Sequence, residues 1–309
     1  MSETRMSRLT TVELFCKAAE AHSFTAAAES AGTTPSAVSK AVSRLERRLA
    51  IKLFERTTRA VRLTDEGQAY YKCCSQALAD IDDIEAELAV GRLEPRGKLR
   101  VSLPASYGLK RVVPYLGRYL ERYPDVSVDV NLSNEVKDFV ADGFDMAVRL
   151  GRVQDSRLIA VPLHKTRYCI VASSAYLQRH GRPTKPEDLL DHSCIDLVLT
   201  GTGRPLPWLF GDSDSPRALQ LPCRLVFDDP MAALGAAVSG AGLVRLLDYT
   251  VNDEIRAGRL VEVLAATGPT QTVSAVYPYA RHPAPKTRSF IAFLTELQKE
   301  FAGHAAVPD

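Results

Sequence analysis

A chain of 309 residues exceeds one ordinary domain, and 46% hydrophobic against 25% charged residues is the balance of a folded protein with a sizeable core, which excludes a mainly disordered chain. The opening residues, Met1-Ser-Glu-Thr-Arg-Met-Ser-Arg-Leu9, hold no apolar run that would serve as a secretion signal, and no later stretch approaches the roughly 18 apolar residues of a membrane span, so a cytoplasmic protein without a membrane partner is expected. The net charge of +2 is unevenly spread: residues 1–65 hold 11 Lys and Arg against 7 Asp and Glu, residues 66–90 hold 1 against 6, and the remainder 27 against 24.

From Leu9 to Ala21, Leu9, Val12, Phe15, Ala18 and Ala19 recur at helical spacing. Ser23 is placed to cap a short second helix from Phe24 to Ala31, and Gly32 stands where a left-handed C-terminal residue is needed. Thr34 then fits an N-cap and Pro35 the first helical position of a third helix. That helix has an apolar stripe, Val38, Ala41, Val42, Leu45 and Leu49, and an opposite face of Ser36, Ser39, Lys40, Ser43, Arg44, Arg47 and Arg48. Two short helices joined by a tight turn, the later one basic on its free face, make a helix-turn-helix whose later helix enters the major groove of DNA. Between Lys40 and Arg62 there are 8 basic and 2 acidic residues, the local excess that attracts a phosphate backbone. Ile51–Arg56 and Ala60–Leu63 read as two strands around the tip Arg56-Thr57-Thr58-Arg59, a wing whose arginines suit phosphates or a narrow groove.

Here a family resemblance becomes specific. Phe24-Thr-Ala-Ala-Ala, Pro35-Ser-Ala-Val-Ser-Lys, Leu45-Glu, Leu53-Phe-Glu-Arg and Leu63-Thr-Asp-Glu-Gly67 resemble the signature of LysR-type transcription regulators in order and spacing. The DNA-contacting candidates are Thr34, Pro35, Ser36, Ser39, Lys40, Ser43 and Arg44 on the third helix and Arg56, Thr58 and Arg59 on the wing.

Thr64 is a cap for a long helix with Asp65 and Glu66 in its first turn. Along it Tyr70, Cys74, Ala77, Ile81, Ile84 and Leu88 recur at steps of four and three, a coiled-coil seam that predicts a dimer-forming linker helix; the competing reading is a helix packed on its own domain. Gly91-Arg-Leu-Glu-Pro-Arg-Gly97 then breaks the helix.

Beyond the break, strands and helices alternate. Strands are expected at Lys98–Leu103, Val126–Leu132, Met146–Leu150, Tyr168–Ser173, Cys194–Leu199, Arg224–Phe227, Leu243–Leu247 and Gln271–Tyr277. Helices are expected from Ser106 to Tyr123, around Asn134 to Asp142, from Ser174, from Pro230 to Ser239 and from Lys286 to Phe301. Alternation of this kind predicts parallel sheets covered by helices. Gly97-Lys-Leu-Arg-Val, Tyr123-Pro-Asp-Val, Gly143-Phe-Asp-Met-Ala-Val-Arg-Leu-Gly151, Ala172-Ser-Ser-Ala-Tyr-Leu and Gly258-Arg-Leu-Val-Glu-Val-Leu264 resemble the LysR effector domain. The resemblance implies an α/β fold class: an all-α winged helix-turn-helix over 1–64, a linker helix over 65–91, and a two-lobed domain over 92–309 built like a periplasmic solute-binding protein. Its first lobe is expected over 97–164 plus 271–303, its second over 165–270. The family further implies a homo-oligomer up to a tetramer, a small-molecule effector and RNA polymerase as a further partner.

Ligands of open α/β sheets lie outside the carboxyl ends of strands, which singles out Ser106, Ser133, Thr202 and Asp228 as effector-binding candidates. Asp229 before Pro230 reads as an N-cap. Arg245, in the apolar strand Leu243–Leu247, is costly to bury unpaired; the favoured partner is internal, Asp228 or Asp248, and the other is an acidic effector. Arg149 reads as a member of a structural pair. The six cysteines show no C-x-x-C spacing, and the six histidines none of the spacings of metal ligands. No metal or other cofactor is therefore expected. No G-x-S-x-G elbow, P-loop or H-E-x-x-H occurs, which leaves an enzyme or solute-binding domain fused to a DNA-binding module as the weaker alternative to a regulator.

Overall fold

A computed structural model describes residues 2–56, 61–90, 94–134, 142–153, 155–198, 203–210, 217–221, 223–264, 270–279 and 283–305; the side chains of 2–8, 56, 76, 79, 80, 82–90 and 303–305 are not described. The chain divides into two units, residues 1–93 with 141–143 and residues 94–140 with 144–309.

In the first unit, α1 (Ser2–Ala21), α2 (Phe24–Ser30) and α3 (Pro35–Leu49) precede a two-stranded antiparallel ladder, β1 (Phe54–Arg56) with β2 (Val61–Leu63), and α4 (Asp65–Val90). Ser23 Oγ accepts from Ala26 N and Thr34 Oγ1 from Ala37 N, both at 3.3 Å, while Pro35 opens α3. Gly32 has φ +61°, the left-handed turn that ends α2. Val38, Ala41, Val42 and Leu45 are buried, and Phe15, Ala18, Ala27 and Ala28 complete the core against which α3 packs. The small alanines let the three helices approach closely.

The first strand of the wing is shorter than the sequence predicts, and Glu46 supplies the reason. Its carboxylate, only 5% exposed, accepts from Leu53 N at 3.0 Å and Phe54 N at 3.3 Å. The amides leading into β1, of Leu53 and Phe54, are thus taken by a side chain rather than by a partner strand. The wing tip, with Thr58 and Arg59, lies outside the described residues, as does the side chain of Arg56. Thr64 ties the wing to the next helix: its hydroxyl donates to Lys52 O at 2.7 Å and accepts from Gly67 N at 2.9 Å. A Cβ on Gly67 would stand 2.0 Å from Leu53 O, so only glycine permits this approach.

The second unit holds two five-stranded sheets. The first has the order β4 (Val126–Leu132), β3 (Gly97–Leu103), β5 (Met146–Leu150), β14 (Gln271–Pro278), β6 (Leu158–Thr166). The second has the order β11 (Leu225–Phe227), β8 (Cys194–Leu197), β12 (Leu243–Leu247), β7 (Tyr168–Ser173), β13 (Leu260–Val263). A short hairpin, β9 (Trp208–Phe210) with β10 (Arg217–Leu219), accompanies the second sheet. Both sheets are mixed, which corrects the expectation of parallel sheets: β14 runs antiparallel to β5 and β6, and β7 antiparallel to β12 and β13. The strands that break the parallel rule are those carrying the chain between the sheets. β6 leads through Arg167 directly into β7, and β14 returns to the first sheet after β13, so no helical crossover imposes parallel pairing.

The helical run after β3 is not one regular helix. It comprises α5 (Ala105–Tyr107), a π-turn over Gly108–Val112, a 3-10 turn over Val113–Tyr115 and α6 (Leu116–Arg122), with Pro114 removing an amide in the middle. The helix expected around Asn134 to Asp142 falls mostly outside the described residues. Leu99, Val101, Leu103, Met146, Val273, Phe290 and Leu294 form the core under α10 (Pro285–Ala305). In the second sheet both faces are covered, and β7 shows it by alternation. Cys169 and Val171 face the core shared with α8 (Pro230–Val238), whereas Ile170 and Ala172 face Tyr176 of α7 (Ser174–His180) and Trp208. Asp229 caps α8 as expected, accepting from Met231 N and Ala232 N at 2.8 and 2.9 Å. Among the described residues no helix is long and apolar enough to cross a membrane.

Candidate functional site

Two regions carry candidate functional residues. On α3 the buried stripe fixes which face is left over: Ser36, Lys40, Arg44 and Arg47 are exposed and Ser39 and Ser43 half-buried, at the spacing of one helical face. Thr34 and Pro35 stand exposed at its N-terminus. Lys40 and Arg44 have no ion-pair partner among the described residues, so their charge is available to an anion. Glu46, on the opposite side, holds the start of the wing. The signal for that role in the sequence is an acid four residues after Val42, in line with the buried stripe.

On α4 the two N-terminal seam residues face partly inward. Tyr70 and Cys74 pack on the core of their own unit, with the Tyr70 ring 5.4 Å from that of Phe15. Both are half-buried, so part of their surface packs within the chain and part remains accessible. Ala77 is exposed and Ile81 half-buried, whereas Ile84 and Leu88 lie outside the described side chains.

In the second unit a cavity of about 290 Å³ opens between the two sheets. It is lined by the carboxyl ends of strands and the turns after them: Pro104 and Ser106 after β3, Ser133 and Asn134 after β4, Arg149 and Leu150 of β5, Asp228 and Pro230 after β11, Leu246 and Leu247 of β12, and Tyr249 and Thr250 in α9 (Asp248–Arg256). Tyr168, Leu197, Val198 and Leu206 complete the apolar wall. Asn134 joins two of these ends, its Oδ1 accepting from Ala105 N at 3.0 Å. The structure therefore brings together Ser106, Ser133 and Asp228 of the predicted set; Thr202 lies outside the described residues.

Arg245 does not line this cavity, and the ion pair expected for it is not formed with Asp228 or Asp248. It is 5% exposed, its Nη1 donates to Pro207 O at 2.7 Å, and its guanidinium lies 3.8 Å from the centre of the Tyr168 ring. Asp248 is engaged elsewhere, accepting from Thr166 Oγ1 and from Tyr249 N. A backbone carbonyl and an aromatic face thus offset the desolvation that lowers the Arg245 pKa. Arg149, read from the sequence as structural, lines the cavity and donates from Nη1 to Val148 O at 2.9 Å; burial lowers its pKa. Tyr249 was missed, although an aromatic residue two positions past the carboxyl end of β12 stands where ligands of α/β sheets sit.

The buried thiols of Cys16, Cys169 and Cys194 are pushed by burial to about 12, which leaves them protonated and weakly nucleophilic near neutrality. Among the described residues no group of three or more His, Cys, Asp or Glu side chains is placed to hold a metal ion.

A helix-turn-helix with a free basic face, joined in one chain to a two-lobed α/β unit with a cavity between its sheets, defines the class of ligand-responsive, DNA-binding transcription regulators. Residues 9–68 match the profile described as bacterial regulatory helix-turn-helix protein, lysR family, and residues 92–299 that of the LysR substrate binding domain. An HTH-type transcriptional regulator of Xanthomonas campestris pv. campestris (strain 8004) is 35% identical over 286 residues, 91% of this chain and 83% of the relative. An HTH-type transcriptional repressor of Pseudomonas aeruginosa (strain UCBPP-PA14) is 32% identical over 296 residues, 96% and 93% of the two chains. The solved structure of CrgA, a LysR-type transcriptional regulator from Neisseria meningitidis, superimposes with a TM-score of 0.61 at 30% identity, covering 94% of this chain and 98% of that one. The chain belongs to the LysR family of transcription regulators.

Proposed function

We propose that this LysR-type regulator reads duplex DNA through the outer face of α3 and changes its transcriptional output when a small molecule occupies the cavity between the two sheets. The observation that carries the DNA reading is the pair of exposed cations Lys40 and Arg44, without an ion-pair partner among the described residues, on the face of α3 opposite its buried stripe. Ser36, Ser39, Ser43 and the helix start at Thr34 and Pro35 contact base edges or phosphates, while Arg56, Thr58 and Arg59 reach phosphates or the minor groove from the wing. The functional parts are residues 1–64, the linker 65–91 and the sensor 92–309. Self-association uses the seam of α4, Tyr70, Cys74, Ala77, Ile81, Ile84 and Leu88, as a dimer that assembles further to a tetramer. The effector contacts are Ser106, Ser133 and Asp228, with Thr202 as a further contact. The protein catalyses no reaction, acts in the cytoplasm and has RNA polymerase as a further partner.

The test is a set of salt titrations of DNA affinity by fluorescence anisotropy. Arg44→Ala and Lys40→Ala each lower the magnitude of the slope of log K against log salt by about 0.9, the value of one phosphate contact on duplex DNA. Unchanged affinity and slope in both variants would refute the assignment of α3.

A further inference from the structure

Besides the cavity between the sheets, the second unit has a crevice of about 430 Å³, a volume within the roughly 300–1,000 Å³ of small-molecule clefts. The π-turn after β3 supplies Lys110 and Arg111, α9 supplies Asn252, Asp253 and Arg256, and the end of α10 supplies Glu300 and Phe301. Its walls come from both lobes, because the turn and α10 pack on the first sheet and α9 on the second.

The charges of this lining do not cancel. Lys110, whose side chain is 17% exposed, holds Asp253 at 3.2 Å, and Arg256 shares the same residue at 3.9 Å. Glu300 is already taken by a residue outside the lining, since Arg118 donates to both of its oxygens at 2.8 and 2.9 Å. Arg111 is left over. Its guanidinium lies 4.3 Å from the centre of the Phe301 ring and makes no hydrogen bond or ion pair among the described residues. Burial lowers its pKa, Asp248, Tyr107 and Asp253 oppose that shift, and Arg256 adds to it. A half-buried cation beside a second cation is disfavoured until an anion completes it.

The lining limits which anion that is. With Glu300 neutralised, Lys110, Arg111 and Arg256 face the single carboxylate of Asp253, which leaves a deficit that a dianion fills. Guanidinium forks match phosphate oxygens, and a phosphate monoester carries about −1.5 to −2 charges near neutrality. The crevice also exceeds a bare phosphate, since a water takes only about 30 Å³, and so has room for an organic body.

We propose that this crevice is a second ligand site, separate from the cavity between the sheets, and that it binds a small phosphate monoester between Arg111 and Arg256 with Lys110 beside them. The bound dianion bridges a turn of the first lobe and a helix of the second, so its occupancy stabilises their present arrangement.

Isothermal titration of the full chain with glycerol 2-phosphate tests this, at fixed ionic strength in phosphate-free buffer, with inorganic phosphate and succinate as comparison anions. The expected result is saturable binding of the ester at millimolar concentration or below, weaker binding of inorganic phosphate, and succinate at least about tenfold weaker than the ester. Arg111→Gln weakens the ester by about tenfold or more, the loss of one charge-assisted contact. Asn252→Asp keeps every cation in place and adds a carboxylate to the lining, so it weakens the ester by a similar factor even where Arg111→Gln harms the fold. Arg122→Gln removes an exposed cation that pairs with Glu296 outside the lining, and it leaves the affinity within about twofold, which separates the site from overall charge. Binding on the basic face of α3 is untouched by Arg111→Gln and Asn252→Asp, so an ester affinity indifferent to both overturns the proposal. No saturable binding at about 10 mM, succinate equal to the ester, or inorganic phosphate tighter than the ester overturns it as well.

Discussion

Glu46→Ala tests how the wing is held to α3. The substitution leaves the amides of Leu53 and Phe54 without the acceptor that now lies at 3.0 and 3.3 Å, in a place where both residues are buried. A buried amide without an acceptor costs about 1–3 kcal/mol, so the pair costs about 2–6 kcal/mol. Glu46→Gln keeps one oxygen as acceptor and loses the charge assistance, roughly half the strength of each bond. Hydrogen exchange of the peptide spanning residues 51–56 in the full-length protein reads the effect directly. At 1.4 kcal/mol per decade, even the lower figure accelerates exchange by about thirtyfold in Glu46→Ala, with a smaller effect in Glu46→Gln. DNA affinity falls in the same order while the far-ultraviolet dichroism is kept. Exchange within about twofold of wild type in Glu46→Ala would show that the carboxylate does not hold this turn.

Gly67→Ala forces a Cβ to within 2.0 Å of Leu53 O, so the start of α4 must shift; the expected loss is about 3 kcal/mol or more, read as a lower urea midpoint of the DNA-binding unit, and an unchanged midpoint counts against the packing described. A double-mutant cycle on melting free energies separates the two readings of Arg245: coupling to Tyr168 of about 0.5–2 kcal/mol and coupling to Asp228 below about 0.5 kcal/mol are expected, and a large coupling to Asp228 would restore the ion pair. Burial lowers the pKa of His164, with Arg111 adding to the shift and Asp248 opposing it. The folded state then binds fewer protons than the unfolded one, so stability is full above the ordinary histidine value of about 6.5 and is lost as pH falls through it. Melting temperatures between pH 5 and 7.5 should therefore drop more steeply for wild type than for His164→Asn, and parallel curves would contradict the burial of the imidazole.

Much of the first unit is legible in the sequence because local rules act there without competition. Ser23, Gly32, Thr34 and Pro35 mark helix ends through bonds spanning three or four residues, and the stripe Val38 to Leu45 fixes one face of α3. In the sensor, strands such as Tyr168–Ser173 were readable from apolar β-branched runs. β6 was not, because Pro162 interrupts it at the register shift opposite Val273 and Ser274 in β14, and proline argues against a strand when read alone. The fate of Arg245 was legible only as a need. That it is met by the Tyr168 ring and the Pro207 carbonyl depends on contacts 77 and 38 positions apart in the chain, which no periodicity encodes. Tyr70 and Cys74 show the converse limit, since a heptad pattern records which residues are buried and does not say whether the partner is another chain or the same one.

The central claim is that α3 presents its Ser39, Lys40 and Arg44 face to specific DNA. Selection of fragments from the source genome by the purified full-length protein, followed by footprinting, tests it most directly. The account predicts discrete protected sites with dyad symmetry for the wild-type protein and loss of all of them in a Ser39→Ala, Lys40→Ala, Arg44→Ala triple variant that keeps its melting temperature. Protection of the same sites by that variant would contradict it.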